Sequence, residues 1–535
     1  MHRSVLPRMA AFAALALGPT LALGLADPAA ARTVQVEERS IDEVQAAMTA
    51  GGTTSVDLVR AYLARIAAMD RKGPTLRSVI AINPDAIAQA RMLDAERKAG
   101  RVRGPLHGVP ILIKDNVETV DRMATTAGSL ALKNNVTGRD APVVAELRRA
   151  GAVILGKTNL SEWANIRSTR SMSGWSAIGG LVRNPYALDR TACGSSSGSG
   201  AAVAASFAAA AVGTETDGSV VCPASINGLV GLKPSIGLVS RRHIVPISHS
   251  QDTAGPMARS VRDVAVMLSA MVAPDPGDPV TAGAVRRDYA AGLSASALSG
   301  LRIAVVRPAM TPDLATRFEA ALAVLRAAGA VLVEVTPPEA KGLGEAEFTV
   351  LKTELKADLN AYLATTPAAV TTRTLDQVIA FNRDHRAVEM PFFDQETFEA
   401  AAATKGLDDP AYKRARATAL RQAGAEGIDA MLKTANATVL VEPSYGAAWP
   451  SDPVHGDQYG GPSSSEWPAV AGYPNLTVPM GLVRGLPVGL SFIAGRLGEA
   501  TVLGAGYAYE QRARARVAPR YRATAEAGPG LDGTR

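Results

Sequence analysis

Three residues set the chemistry this sequence could perform. Lys114 closes the apolar run Ile111-Leu-Ile-Lys-Asp-Asn116, and two serine-rich glycine loops follow it. The first is Cys193-Gly-Ser-Ser-Ser-Gly-Ser-Gly200 and the second Gly213-Thr-Glu-Thr-Asp-Gly-Ser-Val-Val-Cys-Pro223; Ser195 and Ser219 stand 24 residues apart. Attack on a poor acyl electrophile at neutral pH wants an activated nucleophile, a proton shuttle and an oxyanion site. Ser219 ends Thr216-Asp-Gly-Ser219, a turn whose N–H groups can point at one oxygen, and Gly218 permits a tight backbone approach. Burial of Lys114 would disfavour its charge and lower its pKa. An unshifted lysine near pKa 10.4 costs about 4–5 kcal/mol to deprotonate at pH 7. Asp115 is adjacent, but on a strand it points away from the lysine. Taken singly, each residue has a plain reading: a serine in a glycine turn, and a lysine snorkelling from a strand end.

Two other patterns match on letters and fail on physics. Gly151-Ala-Val-Ile-Leu-Gly-Lys-Thr158 fits the P-loop, yet its variable positions are themselves an apolar strand, leaving no loop to cradle phosphate. Gly194-Ser-Ser-Ser-Gly198 fits the nucleophile elbow with Ser196 at its centre. That elbow follows a strand, and Asn184-Pro-Tyr-Ala-Leu-Asp-Arg-Thr191 is a poor one. Lys233 is a rival base, but the proline after it reads as a turn rather than a buried strand end.

The elements that must position these residues alternate. Thr53 to Ile66 has a hydroxyl N-cap and apolar residues at the helical period, and a second helix covers roughly Asp85 to Ala99. Gly108 to Lys114 reads as a buried strand, Val143 to Ala150 as a helix and Ala152 to Leu155 as a strand. Such all-apolar runs suit a sheet covered on both faces. The Ala/Val stretch Ala201 to Val212 reads as a tightly packed buried helix. Ala273 to Pro279 is a breaker-rich loop. Leu301 to Val306, Leu314 to Ala328 and Val331 to Val335 form a β-α-β unit. Residues 340 to 435 are mostly helical, and Thr438 to Glu442 and Asn475 to Pro479 return to strand. This alternation predicts a layered α/β sandwich.

At 535 residues with 47% hydrophobic content, the chain can bury a large core, built mainly from Ala, Val, Leu and Ile because aromatics reach only 4%. The formal charge of +6 includes Arg3 and Arg8 of an N-terminal leader. The remainder is interspersed with acids, apart from Arg512 to Arg522. Neither a basic stripe nor a reading motif for nucleic acid is present. Met1 to Arg8 is a positive n-region, Met9 to Ala26 an apolar stretch broken by Gly18-Pro19, and Ala29-Ala-Ala31 a small-residue exit. Residues 1–31 therefore read as a cleaved signal peptide, with Arg32 starting the mature chain and an exported, periplasmic or secreted location; the alternative is an uncleaved membrane anchor, for which the stretch is marginal in length. No later stretch is long and apolar enough for a span. The two cysteines, Cys193 and Cys222, each lie near one serine loop; they could bridge, but the preferred reading is two small buried thiols. The six histidines form no His-Glu-x-x-His and the cysteines no Cys-x-x-Cys, so no metal is expected.

Together the motifs resemble the amidase signature family. Leu106-His-Gly-Val-Pro-Ile-Leu-Ile-Lys-Asp-Asn116 resembles the segment carrying its lysine, Cys193 to Ser199 its Gly-Gly-Ser-Ser-Gly-Gly-Ser loop, and Gly213 to Ser219 its nucleophile loop. Gly231-Leu-Lys-Pro-Ser-Ile-Gly237 and Gly472-Tyr-Pro-Asn-Leu-Thr-Val-Pro479 resemble its downstream landmarks, so the likeness spans about residues 40–515. It implies a single α/β/α sandwich around a central mixed sheet over residues 32–535 and a Ser–cis-Ser–Lys triad. Ser219 would be the nucleophile, Ser195 the cis-serine relay and Lys114 the base. The backbone N–H groups of Thr216, Asp217, Gly218 and Ser219 would form the oxyanion hole, the Gly194–Ser195 peptide would be cis, and no cofactor is implied. Cys193 and Ser197 replace loop glycines and Asp217 another, departures that bear on loop conformation. These variants, with Gly472-Tyr-Pro474 and Gly485-Leu-Pro-Val-Gly-Leu490, resemble the bacterial peptide amidases, which release ammonia from C-terminal peptide amides. Alternatives are a broad amidase or esterase on the same scaffold, the transfer-RNA-dependent amidotransferase, and an exported solute-binding protein that leaves the triad unused.

Overall fold

The computed structural model describes residues 34–526, so the leader expected over residues 1–31 lies outside the described residues. Its centre is one mixed sheet of eleven strands. In chain order these are β1 (Val79–Ile82), β2 (Pro110–Lys114), β3 (Val153–Thr158), β4 (Ala210–Glu215), β5 (Val230–Lys233) and β6 (Thr253–Ala258). They continue with β7 (Arg302–Val305), β8 (Val331–Glu334), β9 (Val439–Pro443), β10 (Asn475–Val483) and β11 (Leu486–Ile493). The spatial order is β1-β3-β2-β4-β6-β5-β10-β11-β9-β7-β8. β2 runs parallel to both β3 and β4, and β7 parallel to both β8 and β9; the other pairings are antiparallel.

β2, β3, β4, β6 and β11 are buried at every position, so both faces of the central sheet are covered, as a layered α/β architecture requires. The covering helices start where the sequence supplies caps. Thr54 accepts from the N–H of Asp57 at 3.1 Å while Asp57 accepts from the N–H of Thr54 at 3.2 Å, a capping box opening the helix Ser55–Met69. That helix turns Leu58, Val59, Tyr62 and Ile66 inward. Residues 343–435 add a largely helical region whose own core includes Leu355, Leu359, Val378 and Phe398. No helix among the described residues is long and apolar enough to cross a membrane.

Three expectations are corrected. The Ala/Val stretch is not one helix: Ser197–Ala204 is helical, Ser206 takes a φ of 56°, and β4 begins at Ala210. An unbroken apolar run has no period by which helix and strand can be told apart. Cys193 and Cys222 are bridged, with Cα atoms 6.0 Å apart, because the two loops pack against each other. Lys233 does end a buried strand; Pro234 follows β5 instead of pre-empting it.

Candidate active site

The parallel trio β3-β2-β4 brings the chemistry together. Pairing of Ile113 on β2 with Val212 on β4 sets the C-terminal ends of both strands side by side, with Lys114 on one and Thr214 on the other. Lys114 is fully buried, and its Nζ donates to Ser195 Oγ at 2.8 Å, Thr214 Oγ1 at 2.9 Å and the Thr214 carbonyl at 3.2 Å. Asn116 Nδ2 donates to the same Thr214 hydroxyl at 2.9 Å. Burial pulls the Lys114 pKa down to about 7, against the opposing pull of the Glu215 and Asp252 carboxylates. A neutral amine has two N–H groups and one lone pair. With Thr214 taking both N–H groups, the lone pair is left facing Ser195.

Ser195 follows a cis peptide at Gly194–Ser195. Its carbonyl accepts from Ser161 N at 3.0 Å, and a Cβ at Gly194 would lie 2.2 Å from Ser161 Oγ, so no larger residue fits there. Ser196 fastens this loop to the nucleophile loop. Its N–H donates to the Ser219 carbonyl at 3.1 Å, and its hydroxyl donates to the Thr214 carbonyl at 3.1 Å. That commitment excludes Ser196 as an elbow nucleophile. Ser219 itself is 7% exposed, and its hydroxyl donates to no protein group among the described residues.

The turn before Ser219 is held from three sides. Glu215 accepts from Val220 N at 2.7 Å and Val221 N at 2.9 Å, anchoring the start of the helix Val221–Ile226. Thr216 Oγ1 donates to Asp252 at 2.6 Å. Gly218 has a φ of 75°, and a Cβ there would lie 2.1 Å from Tyr445 Oη, which donates to Ser465 Oγ at 2.6 Å. Of the four expected oxyanion donors, the N–H groups of Thr216, Asp217 and Ser219 meet no protein acceptor among the described residues. The Gly218 N–H is turned to the Glu215 carboxylate. Asp217 is pushed up to about 7 by burial, and further by Glu215 and Glu466.

The structure thus joins Lys114 and Ser195 directly, and Ser219 to them through its loop. Asp115 turns away as expected, accepting from Thr126 N at 3.2 Å. Lys157 Nζ serves the Thr125 hydroxyl at 2.9 Å, a structural role within β3, and the P-loop pattern is that strand. Lys233 Nζ donates to the Pro234 carbonyl at 3.1 Å and to neither serine. Thr214, Glu215 and Asp252 carry geometry that sequence reasoning passed over, although the first two lie inside the second loop. Tyr445 and Ser465 gave no signal, because they reach the turn from more than 220 residues away in the chain. A cavity of about 480 Å³ reaches Thr214 and Asn116 and is walled by Val245, Ile247, Ala361 and Tyr362; neither serine lines it. His249, Glu354 and Asp358 are the one grouping of three metal-ligand types among the described residues. Glu354 there already accepts from Ser248, Ser250 and Tyr412, which makes it a hydrogen-bond hub.

A mixed sheet that sets a buried lysine against a serine-loop pair defines a class of amide hydrolase. The amidase family model matches residues 57–503, and the chain belongs to the amidase family, hydrolases of amide carbon–nitrogen bonds. It is 52% identical to the native peptide amidase of Stenotrophomonas maltophilia, whose crystal structure superposes with a TM-score of 0.86 over 91% of this chain and 99% of that one. A peptide amidase solved with the competitive inhibitor chymostatin is likewise 52% identical, with a TM-score of 0.88 over 90% of this chain and 99% of that one. A glutamyl-tRNA(Gln) amidotransferase protein from Halorhodospira halophila is 35% identical over 89% of this chain and 97% of its own length.

Proposed function

We propose that this protein is an exported serine amidase that converts C-terminal peptide amides to free acids and ammonia. The observation that carries the reading is the buried Lys114, whose pKa burial pulls down to about 7, with its Nζ 2.8 Å from Ser195 Oγ. Ser219 attacks the amide carbon while its proton passes through the Ser195 hydroxyl to the Lys114 lone pair. The backbone N–H groups of Thr216, Asp217 and Ser219, which have no protein acceptor among the described residues, meet the oxyanion as it forms. The same relay delivers the proton to the departing nitrogen, ammonia leaves, and water releases the acid from the acyl-enzyme by the reverse path. Similarity at 52% to enzymes described as peptide amidases, one with a bound competitive inhibitor, supports a peptide amide as substrate.

Export is supported by the leader pattern of residues 1–31 and by a disulfide, which persists in oxidising compartments. Both weigh against the amidotransferase reading, whose reaction belongs to the cytoplasm. Family membership sets aside the solute-binding alternative. The experiment is a side-by-side rate comparison on a C-terminal peptide amide, a side-chain amide, an aryl amide and an ester. A preference of about a hundredfold or more for the C-terminal amide is expected. Comparable rates on all four would replace this reading with a broad amidase or esterase.

A further inference from the structure

We infer that the Cys193–Cys222 disulfide is a positioning element for the serine pair, and that it makes full activity conditional on an oxidising compartment. This rests on the proposed roles of Ser195 and Ser219. Cys193 lies two residues before Ser195 and Cys222 three residues after Ser219, so the bridge spans the two loops that must stay in register for proton transfer. It does not tie distant parts of the domain together.

The local backbone gives the bridge leverage. Cys193 has a φ of 56°, a conformation uncommon for a residue with a side chain, at the turn into Gly194. Its carbonyl accepts from Ser197 Oγ at 2.5 Å, and its N–H donates to Thr191 Oγ1 at 3.0 Å. Cys222 N–H donates to the Gly218 carbonyl at 2.8 Å, coupling its half of the bridge directly to the nucleophile turn. Both residues are buried among Val221, Ile226, Tyr445 and Trp449, so the reduced thiols can occupy the same apolar nest without unfolding it. Reduction replaces a covalent bond by a non-bonded contact. The sulfurs must separate, and the segments carrying Ser195 and Ser219 separate with them. The remaining ties are hydrogen bonds, among them Ser196 N–H to the Ser219 carbonyl, the Ser196 hydroxyl with the Thr214 carbonyl and N–H, Ser199 Oγ to the Val212 carbonyl, and Lys114 Nζ to both Ser195 and Thr214. A displacement near 1 Å in a catalytic constellation costs on the order of a hundredfold in rate.

Closure follows thiol–disulfide exchange with a disulfide-bearing oxidant. One cysteine thiolate attacks the oxidant's disulfide to give a mixed disulfide. The second thiolate displaces the oxidant as a dithiol, which carries away two electrons and the two protons given up by the cysteines. A dithiol reductant runs the exchange backwards. An enzyme made in a reducing cytoplasm would be held at low activity until export and oxidation set its serines in register.

Because both sulfurs are buried, the reduced form is best obtained by producing the enzyme under reducing conditions and keeping it in dithiothreitol. Three quantities are measured on reduced and oxidised protein: thiols titrated in denaturant, kcat and KM on a C-terminal peptide amide, and the rate of labelling by a serine-directed fluorophosphonate. Reduced enzyme is expected to show two thiols, a kcat at least tenfold lower, a KM within twofold and correspondingly slower labelling. Oxidised glutathione is expected to restore kcat as the thiol count falls to zero. The Cys193→Ala/Cys222→Ala variant is expected to stay at the reduced level in either condition; if it fails to fold, the redox cycle of the parent enzyme decides. Two thiols with kcat within twofold of the oxidised enzyme would overturn the inference, as would two titratable thiols after oxidation. If oxidised enzyme releases no ammonia but labels in a bridge-dependent way, the inference stands and the peptide-amide reading falls. No labelling in either state would sink both.

Discussion

At the scale of single residues, the proposed catalysis turns on Lys114. Its pKa near 7 means that kcat/KM is expected to rise with pH through an inflection near 7 and to level off above it, since only the neutral amine accepts a proton. A pH–rate profile flat between pH 6 and 8 would contradict this. The same shift acts on stability. Its folded pKa of about 7 lies below the ordinary lysine value of 10.5, so between those pH values the unfolded chain holds a proton here that the folded chain lacks. This group's contribution to stability therefore rises with pH across that window, by up to about 1.4 kcal/mol per unit. Urea unfolding at pH 7.5 and 9 is expected to show the parent gaining on Lys114→Met by roughly that slope; parallel curves would contradict it. Thr214→Val removes the hydroxyl that Lys114 and Asn116 share. It is expected to lower kcat at least tenfold with KM within about threefold, the signature of a misaimed base rather than lost binding.

At the scale of elements, the nucleophile turn is the part most tightly specified. Gly218→Ala would drive a Cβ to 2.1 Å from Tyr445 Oη at a φ of 75°. Fluorophosphonate labelling of that variant is expected to fall by about a hundredfold or more. Adding Tyr445→Phe is expected to recover part of the loss, because the hydroxyl is the nearest clash, while the contact with Ser465 Oγ at 3.0 Å and the backbone strain remain; equal labelling of parent and Gly218→Ala would contradict this. The sequence shows why some elements were legible and others were not. β2 announces itself through Ile111-Leu-Ile113 between Pro110 and the lysine, and the helix Ser55–Met69 through its hydroxyl cap and apolar period. The Ala/Val stretch gave no period, so its break at Ser206 was invisible. β5 was masked by the Lys-Pro that closes it, and β6 carries Gly255-Pro256, residues of turn vocabulary, while antiparallel partners on both sides hold it extended. β11 is fully buried but punctuated by Pro487 and Gly489, which match the turn vocabulary.

At the scale of the whole molecule, the proposed triad depends on pairings between distant parts of the chain. Lys114 meets residues 81 and 100 positions on, and Tyr445 closes over a turn more than 220 positions before it. Such contacts leave no local signal, which is why the lysine and serines were legible as motifs while their packing partners were not. The basic stretch near the C-terminus is partly neutralised, with Arg516 paired to Glu38 and Arg522 to Glu526. Export predicts that the mature protein begins at Arg32, which N-terminal sequencing of the secreted form checks; an intact Met1 would contradict cleavage.

The most direct test is ammonia released from a short peptide bearing a C-terminal amide, with the enzyme beside its Ser219→Ala variant at pH 8. Release by the enzyme, with loss of about a thousandfold or more in the variant, is the predicted result. Equal release by both would contradict a mechanism in which Ser219 attacks and Lys114 takes the proton.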